Sequence, residues 1–385
     1  MNHKALFPSI LAAALAVAFS ACHPDKDDEE DPSEQPSTPV GTPYTLHIPA
    51  NLPPMSIPAD NPLTVEGVRL GRFLFYDERL SADNGMSCAS CHKPSLSFTD
   101  GHAVSKGIDS IAGTRSAMPL INLGYAHFFF WDGRAATLED QILQPVRNPI
   151  EMHETWPNAM SKLQADAAYP GLFEAAFGSS HIDSLKVAKA IAQFIRTMVS
   201  GNSPFDKFRR FEGTISVDAQ QGYSLFQMEG GAVGQIIPVQ GSAPVVGQGG
   251  ADCFHCHTDA AGLFTDEQFH NNGLDVTFTD LGRGGVTNAP YDMGKFKTPT
   301  LRNIMLTAPY MHDGRFANID EVLDHYNDGG HASATVDPFM KFTDPDATLG
   351  LTPVKRTQII AFLNSLTDLE FVNAPEFQDP GPPVP

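Results

Sequence analysis

The sequence predicts an all-α protein of two domains, each built around one covalently attached cofactor, and three observations carry that prediction. The pentapeptide Cys88-Ala89-Ser90-Cys91-His92 is echoed by Cys253-Phe254-His255-Cys256-His257, far enough downstream to seed a second unit. Wherever apolar residues recur they recur with a helical period, and no run sustains the alternation of a strand. The stretches between are long and rich in Gly (32) and Pro (31), as expected when a bulky group rather than a broad apolar stripe fills the centre of each core. A chain of 385 residues with 42% hydrophobic content can bury two such cores.

Two cysteines with a histidine next in line, at this spacing, are what haem c attachment requires. Both thiols add across the porphyrin vinyl groups, and the histidine reaches the iron from below. A zinc site and a dithiol redox pair are the alternatives. Zinc pairs repeat at closer spacing, and a redox pair has no need of the trailing histidine. Two copies using four of the five cysteines favour two haems c, one on Cys88 and Cys91 and one on Cys253 and Cys256, with His92 and His257 as proximal iron ligands.

Taken in order, residues 1–21 read as a secretory signal. An apolar run follows Lys4 and closes on Ala18-Phe19-Ser20-Ala21-Cys22, small residues leading into a cysteine as at a bacterial lipoprotein cleavage site. Lipid on Cys22 is the expectation, with plain signal cleavage nearby as the alternative. Residues 22–47 read as a tether: from Pro24 to Pro43 the chain is acidic and rich in Pro, Ser and Thr, with Asp27, Asp28, Glu29, Glu30 and Asp31 in one block. Such a segment cannot bury enough surface to order itself.

The N-terminal domain is expected over 48–212. In it Asp183 caps a helix running to Met198 whose face carries Leu185, Ala188, Ile191, Ala192, Ile195 and Met198, with Gly201 beyond its end. The C-terminal domain is expected over 213–385 and opens with a helix through Asp218 and Phe226. Residues 230–250 form a low-complexity Gly/Val/Pro/Gln stretch, read as an exposed loop insertion. Ile319, Val322, Leu323 and Tyr326 fall at i, i+3, i+4 and i+7 of a short helix. Pro353 after Thr352 suits the first turn of a last helix carrying Ile359, Ile360, Leu363 and Leu366. No internal repeat is visible beyond the paired motifs.

A net charge of -20 argues against nucleic acid and for neutral or basic partners. After Cys22 nothing approaches the roughly 18 consecutive apolar residues of a membrane span, so acyl chains would be the sole membrane contact. Haem c is assembled outside the cytoplasm. Address and cofactor therefore agree on the cell envelope of a Gram-negative-type bacterium, as a periplasmic or surface lipoprotein.

A haem domain can carry electrons, bind gas or activate peroxide, and the groups around the iron decide which. Between the two anchors lie Phe130-Trp131-Asp132-Gly133-Arg134, then Gln141, then Pro149-Ile150-Glu151-Met152. Trp131, one of two tryptophans, would make a good relay between haems, and Glu151 could move a proton between the two oxygens of a bound peroxide. A core tryptophan and a surface glutamate are the plainer readings of the same residues.

From about Leu63 to Leu366 the chain resembles the bacterial dihaem cytochrome c peroxidase and MauG family. The likeness rests on Ser87-Cys88-Ala89-Ser90-Cys91-His92, Phe98-Thr99-Asp100-Gly101, the Phe-Trp-Asp-Gly-Arg segment and Asn148-Pro149-Ile150-Glu151-Met152. It continues through Arg196-Thr197-Met198-Val199-Ser200-Gly201-Asn202, Phe296-Lys297-Thr298-Pro299-Thr300-Leu301-Arg302-Asn303 and Ala308-Pro309-Tyr310-Met311-His312-Asp313-Gly314. The resemblance implies two cytochrome c-like domains meeting across an interface, the N-terminal haem peroxidatic and the C-terminal haem electron-transferring. It implies Trp131 as the inter-haem tryptophan, and Gln141 and Glu151 as the peroxide-site pair. It also implies a calcium ion between the domains on the carbonyls of Thr307 and Pro309, with Ser116 standing where the family has asparagine.

Two departures bear on mechanism. Family members that need reductive activation carry a distal histidine in a loop corresponding to Gly107-Ile108 here, and the nearest histidine is His102; the expectation is an N-terminal haem whose sixth position is open to peroxide. Where the family has a distal methionine on the second haem this chain has Tyr326, as MauG does, with Met311, His312 and His325 as alternative ligands. Together these imply a peroxidase that reduces hydrogen peroxide with electrons drawn through both haems. The donor would be a small redox protein, a cytochrome c or a copper protein, or, in a MauG-like activity, a side chain of a partner protein; a homodimer is compatible with either. A dihaem electron carrier without substrate chemistry is the competing class. A haem-based sensor is a weaker third, since nothing resembles an output domain.

Overall fold

The computed structural model describes residues 40–343 and 348–384, so the signal, Cys22 and the acidic block lie outside the described residues. The helices of five or more residues among the described residues are α1 (Val65–Phe75), α2 (Leu138–Arg147), α3 (Trp156–Gln164), α4 (Tyr169–Phe177), α5 (Ser184–Arg196), α6 (Pro204–Arg209), α7 (Val217–Phe226), α8 (Ile319–Asn327), α9 (Pro353–Ser365) and α10 (Leu369–Asn373). Among the described residues, sheet amounts to two antiparallel ribbons, β1 (Ile236–Ile237) with β2 (Val245–Val246) and β3 (Phe269–His270) with β4 (Phe296–Lys297). Single helical turns carry the two cysteine motifs.

Caps and stripes account for the long helices. Asp183 accepts from the Lys186 N–H at 2.8 Å to start α5, and the Asn318 side chain accepts from the Glu321 N–H at 3.0 Å to start α8. Thr352 caps α9, with Pro353 in its first turn. The α5 stripe of Ala188, Ile191, Ala192, Ile195 and the following Met198 is buried as expected, but Leu185 is 51% exposed. The reason is the partner helix: Gly67 of α1 faces Gln193 and Gly71 faces Ala190, so Leu185 falls at the end of α1 with little to cover it.

The two lobes repeat one packing device. A Cβ added at Gly71 would lie 1.9 Å from the Ala190 carbonyl oxygen and 3.0 Å from the Phe194 Cβ; at Gly222 of α7 it would lie 1.9 Å from the Gln358 carbonyl oxygen and 2.9 Å from the Phe362 Cβ of α9. Glycine lets the helix backbones touch in both lobes. This is an internal repeat that the sequence conceals, because the crossing shares only a glycine and a phenylalanine between lobes.

Each lobe has its own apolar cluster, the first including Leu70, Leu74, Phe75, Phe98, Ile191 and Phe194, the second Phe205, Phe226, Phe264, Ile359 and Phe362. Cluster membership departs from a cut at 213 in two places. Phe205 of α6 joins the second cluster, held there by a buried ion pair in which Arg302 Nη1 and Nη2 each reach an Asp206 carboxylate oxygen at 2.8 Å. At the other end, Phe371, Val372 and Phe377 pack into the first cluster. The tail is fastened to α1 by Arg72, which donates to the carbonyls of Pro375 and Gln378, and by the Tyr76 hydroxyl on the Phe377 carbonyl at 2.6 Å.

Two further expectations shift. Thr42 donates N–H and hydroxyl to the Glu66 carboxylate at 2.7 and 2.9 Å, and Tyr44 pairs with Leu63, so the chain is docked before the expected end of the tether at 47. The 230–250 insertion is more than a loop: β1 and β2 pair, and Ile237 sits in the second cluster while Val233 and Ile236 point outward.

Candidate active site

Each histidine that follows a cysteine pair is aimed by a backbone carbonyl. His92 Nδ1 donates to the Phe98 carbonyl at 2.7 Å, and His257 Nδ1 lies 3.4 Å from the Phe264 carbonyl. A carbonyl only accepts, so the proton sits on Nδ1 and Nε2 keeps the lone pair a metal needs. Burial lowers both imidazole pKa values, that of His257 to about 4, which keeps the rings in the neutral form that ligates.

His92 opens on a cavity of about 510 Å³ that is also lined by Cys88, Cys91, Trp131, Gln141 and Glu151. Gln141 comes from α2, and the turn that ends α2 at Asn148 carries the chain round to Glu151. The Asn148 amide donates to Glu151 Oε1 at 2.6 Å, and the Ile108 N–H donates to the Glu151 carbonyl at 2.7 Å. Burial is the largest influence on this carboxyl and raises its pKa above the ordinary glutamate value, against the pull of Asn148 and Arg134. The loop across from it presents backbone: a Cβ at Gly107 would lie 2.1 Å from the Ile150 carbonyl oxygen and 2.6 Å from the Glu151 Cα. His102 is exposed and is not among the residues lining the cavity.

A second cavity, narrower at about 210 Å³, is lined by Cys253, Cys256, His257 and Tyr326, with residues from Asp337 to Phe342 in its wall. The Asn272 amide donates to the Tyr326 hydroxyl at 3.3 Å, and burial pushes the phenol up to about 12. Of the alternative ligands, Met311 and His312 line this cavity and His325 does not. His312 is stacked on Phe296 at 3.6 Å between ring centroids, and His325 Nε2 donates to the Asn272 carbonyl at 2.9 Å.

Trp131 lines both cavities. Its indole N–H donates to the Ser116 carbonyl at 3.0 Å, while Ser116 donates its own N–H to the His312 carbonyl at 2.8 Å and its hydroxyl to the Met311 carbonyl at 3.0 Å. One residue, Ser116, thus ties the tryptophan of the first lobe to the loop of the second.

A family model described as di-haem cytochrome c peroxidase matches residues 65–214. The chain is also 37% identical over 316 residues to the methylamine utilization protein MauG of Methylorubrum extorquens, spanning 80% of each chain. The chain belongs to the dihaem cytochrome c peroxidase and MauG family. It is 34% identical over 279 residues to the cytochrome c peroxidase Ccp of Escherichia coli, across 70% of this chain and 55% of that one. A crystal structure of a MauG-like protein associated with microbial copper homeostasis superposes with a TM-score of 0.76 at 33% identity, covering 88% of this chain and 99% of that one. The mostly helical, two-lobed architecture fits two cytochrome c-like domains.

The calcium expectation turns on Thr307, Pro309 and Ser116. Among the described residues the carbonyls of Thr307 and Pro309 accept no hydrogen bond, as a calcium site would require. Ser116 donates its hydroxyl to the Met311 carbonyl and accepts the Trp131 N–H at its own carbonyl.

Sequence reasoning missed three groups of polar residues around the cavities: Lys297, His270, and the cluster of Glu229, Asp252, His255 and Lys341. Lys297, 5% exposed, lines both and bonds the Glu267 carboxylate at 2.8 Å and the Phe128 carbonyl at 2.9 Å; its place inside a matching motif was the available signal. His270 is clamped between Asp337 at 2.5 Å and Asp266 at 2.7 Å, which outweigh burial and raise its pKa to about 12. Glu229, Asp252 and His255 approach one another as metal ligands would, but the buried Lys341 ammonium is already paired with both carboxylates, and a cation there excludes another.

Proposed function

We propose that this protein reduces hydrogen peroxide at a haem c held by Cys88, Cys91 and His92, with electrons supplied through a second haem c held by Cys253, Cys256 and His257. The residues fit the group: paired thiols, an imidazole with its Nδ1 proton committed to a carbonyl, and an adjoining cavity occur in each lobe. Bound haem supplies the redox chemistry at the peroxide oxygens. The observation that carries the reading is that Glu151 and Gln141 share the His92 cavity while the facing loop offers backbone at Gly107 instead of a blocking side chain.

The protein's own residues then divide the work. Glu151 takes the proton from one peroxide oxygen and returns it to the other as the bond between them breaks, and the Gln141 amide holds the peroxide in place. Two electrons and two protons complete the reduction to two water molecules. Trp131 passes charge between the cavities; with a peptide carbonyl rather than a carboxylate on its N–H, the indole has no base to lose its proton to. Tyr326 would ligate the iron of the second haem, and a phenolate there would stabilise oxidised iron.

That ligand favours a second reading within the same family, a MauG-like oxidation of a partner protein's side chain, over electron delivery from a small cytochrome c or copper protein. The address is the cell envelope, with lipid on Cys22 as the membrane attachment; among the described residues no helix is long and apolar enough to cross a membrane. The test is an EPR and absorption spectrum of the oxidised protein. One high-spin and one low-spin haem is the expected result, and two low-spin haems would return the protein to the class of electron carriers.

A further inference from the structure

We infer that the C-terminal tail positions the proximal histidine of the opposite lobe: Phe371 and Phe377 hold Phe98, and Phe98 holds His92. The inference rests on the haem site proposed at His92. Phe98 is fully buried and adopts a φ of 61°, a left-handed conformation that a bulky residue avoids unless its surroundings impose it. In that conformation its carbonyl meets His92 Nδ1 at 2.7 Å. Its ring packs against Phe75 at 6.2 Å between centroids, Phe371 at 5.7 Å and Phe377 at 6.4 Å, and the two tail rings lie 5.2 Å from each other. Two of these three partners arrive from the far end of the chain.

The tail is itself fixed from both lobes. Asp368, 2% exposed, accepts from the Ser200 hydroxyl and from the N–H groups of Gly201 and Asn202, and its own N–H reaches the Asn303 side chain. Beyond it, Arg72 and Tyr76 grip the carbonyls of Pro375, Phe377 and Gln378. The second lobe builds the same device from nearer residues: Phe264, at φ 55°, faces His257 and packs against Phe205, Phe226 and Phe362. Loosening the tail therefore frees Phe98 to leave the left-handed region. Its carbonyl then withdraws from Nδ1–H, and the imidazole becomes a less basic ligand.

Resonance Raman spectroscopy of the reduced, haem-loaded, full-length protein tests this through the iron–histidine stretching band of the five-coordinate N-terminal haem. In Phe371→Leu and Phe377→Leu the band is expected to move to lower frequency and broaden, more so in the double variant. Phe362→Leu, which alters the aromatic shell of Phe264 in the second lobe, leaves it in place, and the low-spin signal of the oxidised second haem persists in the tail variants. A band unmoved in both single variants overturns the inference. Should the double variant fail to load haem, the single substitutions decide, since each leaves one tail ring on Phe98. No such band in the unsubstituted protein would instead refute the open site at His92.

Discussion

Replacing Glu151 by Gln separates proton transfer from geometry. The Asn148 amide donates to Glu151 Oε1 at 2.6 Å, and a glutamine offers the same oxygen at the same reach, so the side chain stays in the His92 cavity. What disappears is the capacity to accept and return a proton, a contribution of about 10²- to 10⁴-fold for a well-placed general base, or roughly 3–5 kcal/mol of barrier. Peroxide turnover with a reduced donor is expected to fall by that factor while both haems stay bound with unchanged absorption spectra. A second substitution fixes the sign. The carboxyl must be ionised to act as a base, so turnover rises with pH through its pKa. Burial raises that pKa and Asn148 lowers it. In Asn148→Ala the lowering influence is gone, and the acid limb of the pH profile should move to higher pH. Undiminished turnover in Glu151→Gln, or an acid limb moving downward in Asn148→Ala, would refute Glu151 as the proton carrier.

Tyr326→Phe should alter the low-spin EPR signal of the second haem, and an identical signal would pass the ligand role to Met311 or His312. Trp131→Phe should slow turnover with an external donor while the spectrum of the first haem is kept; equal rates would route the electrons elsewhere. Gly107→Ala forces a methyl onto the Ile150 carbonyl oxygen 2.1 Å away; relief by moving the Glu151 segment should cost on the order of 1–3 kcal/mol and reduce turnover, measured by denaturant unfolding beside the peroxide assay. Gly71→Ala and Gly222→Ala each press a methyl on a helix backbone and should destabilise by a similar amount, about 1–3 kcal/mol. Thermal melts that match the unsubstituted protein would disprove the shared crossing.

What the sequence disclosed was local. Cysteine and histidine spacing and the Asp183 and Thr352 caps are set by neighbours in the chain, and the structure starts a helix at each cap. Leu185 has the period of a buried residue, but its partner helix ends too soon to cover it, a fact about α1 rather than about α5. His270 is a lone histidine until folding brings Asp337 to it, and no pattern announces a pair so distant. The tail was assigned to the second domain because order along the chain is the sole cue to membership; its aromatics answer to Phe98, which no periodicity reveals. The repeated crossing at Gly71 and Gly222 escaped for the opposite reason, that it needs too few shared residues to stand out.

Segments from early and late in the described chain are exchanged between the lobes. Asn51 reaches the Asp206 carboxylate and receives Arg210, while Phe377 completes the aromatic shell around Phe98. Manufacture of this molecule therefore cannot proceed one half at a time: as the polypeptide emerges, the earlier half waits for its closing ring until the later half has been delivered. A premature stop shortly past residue 366 would spoil the half made first, and calorimetry of the intact protein should record one melting event rather than two.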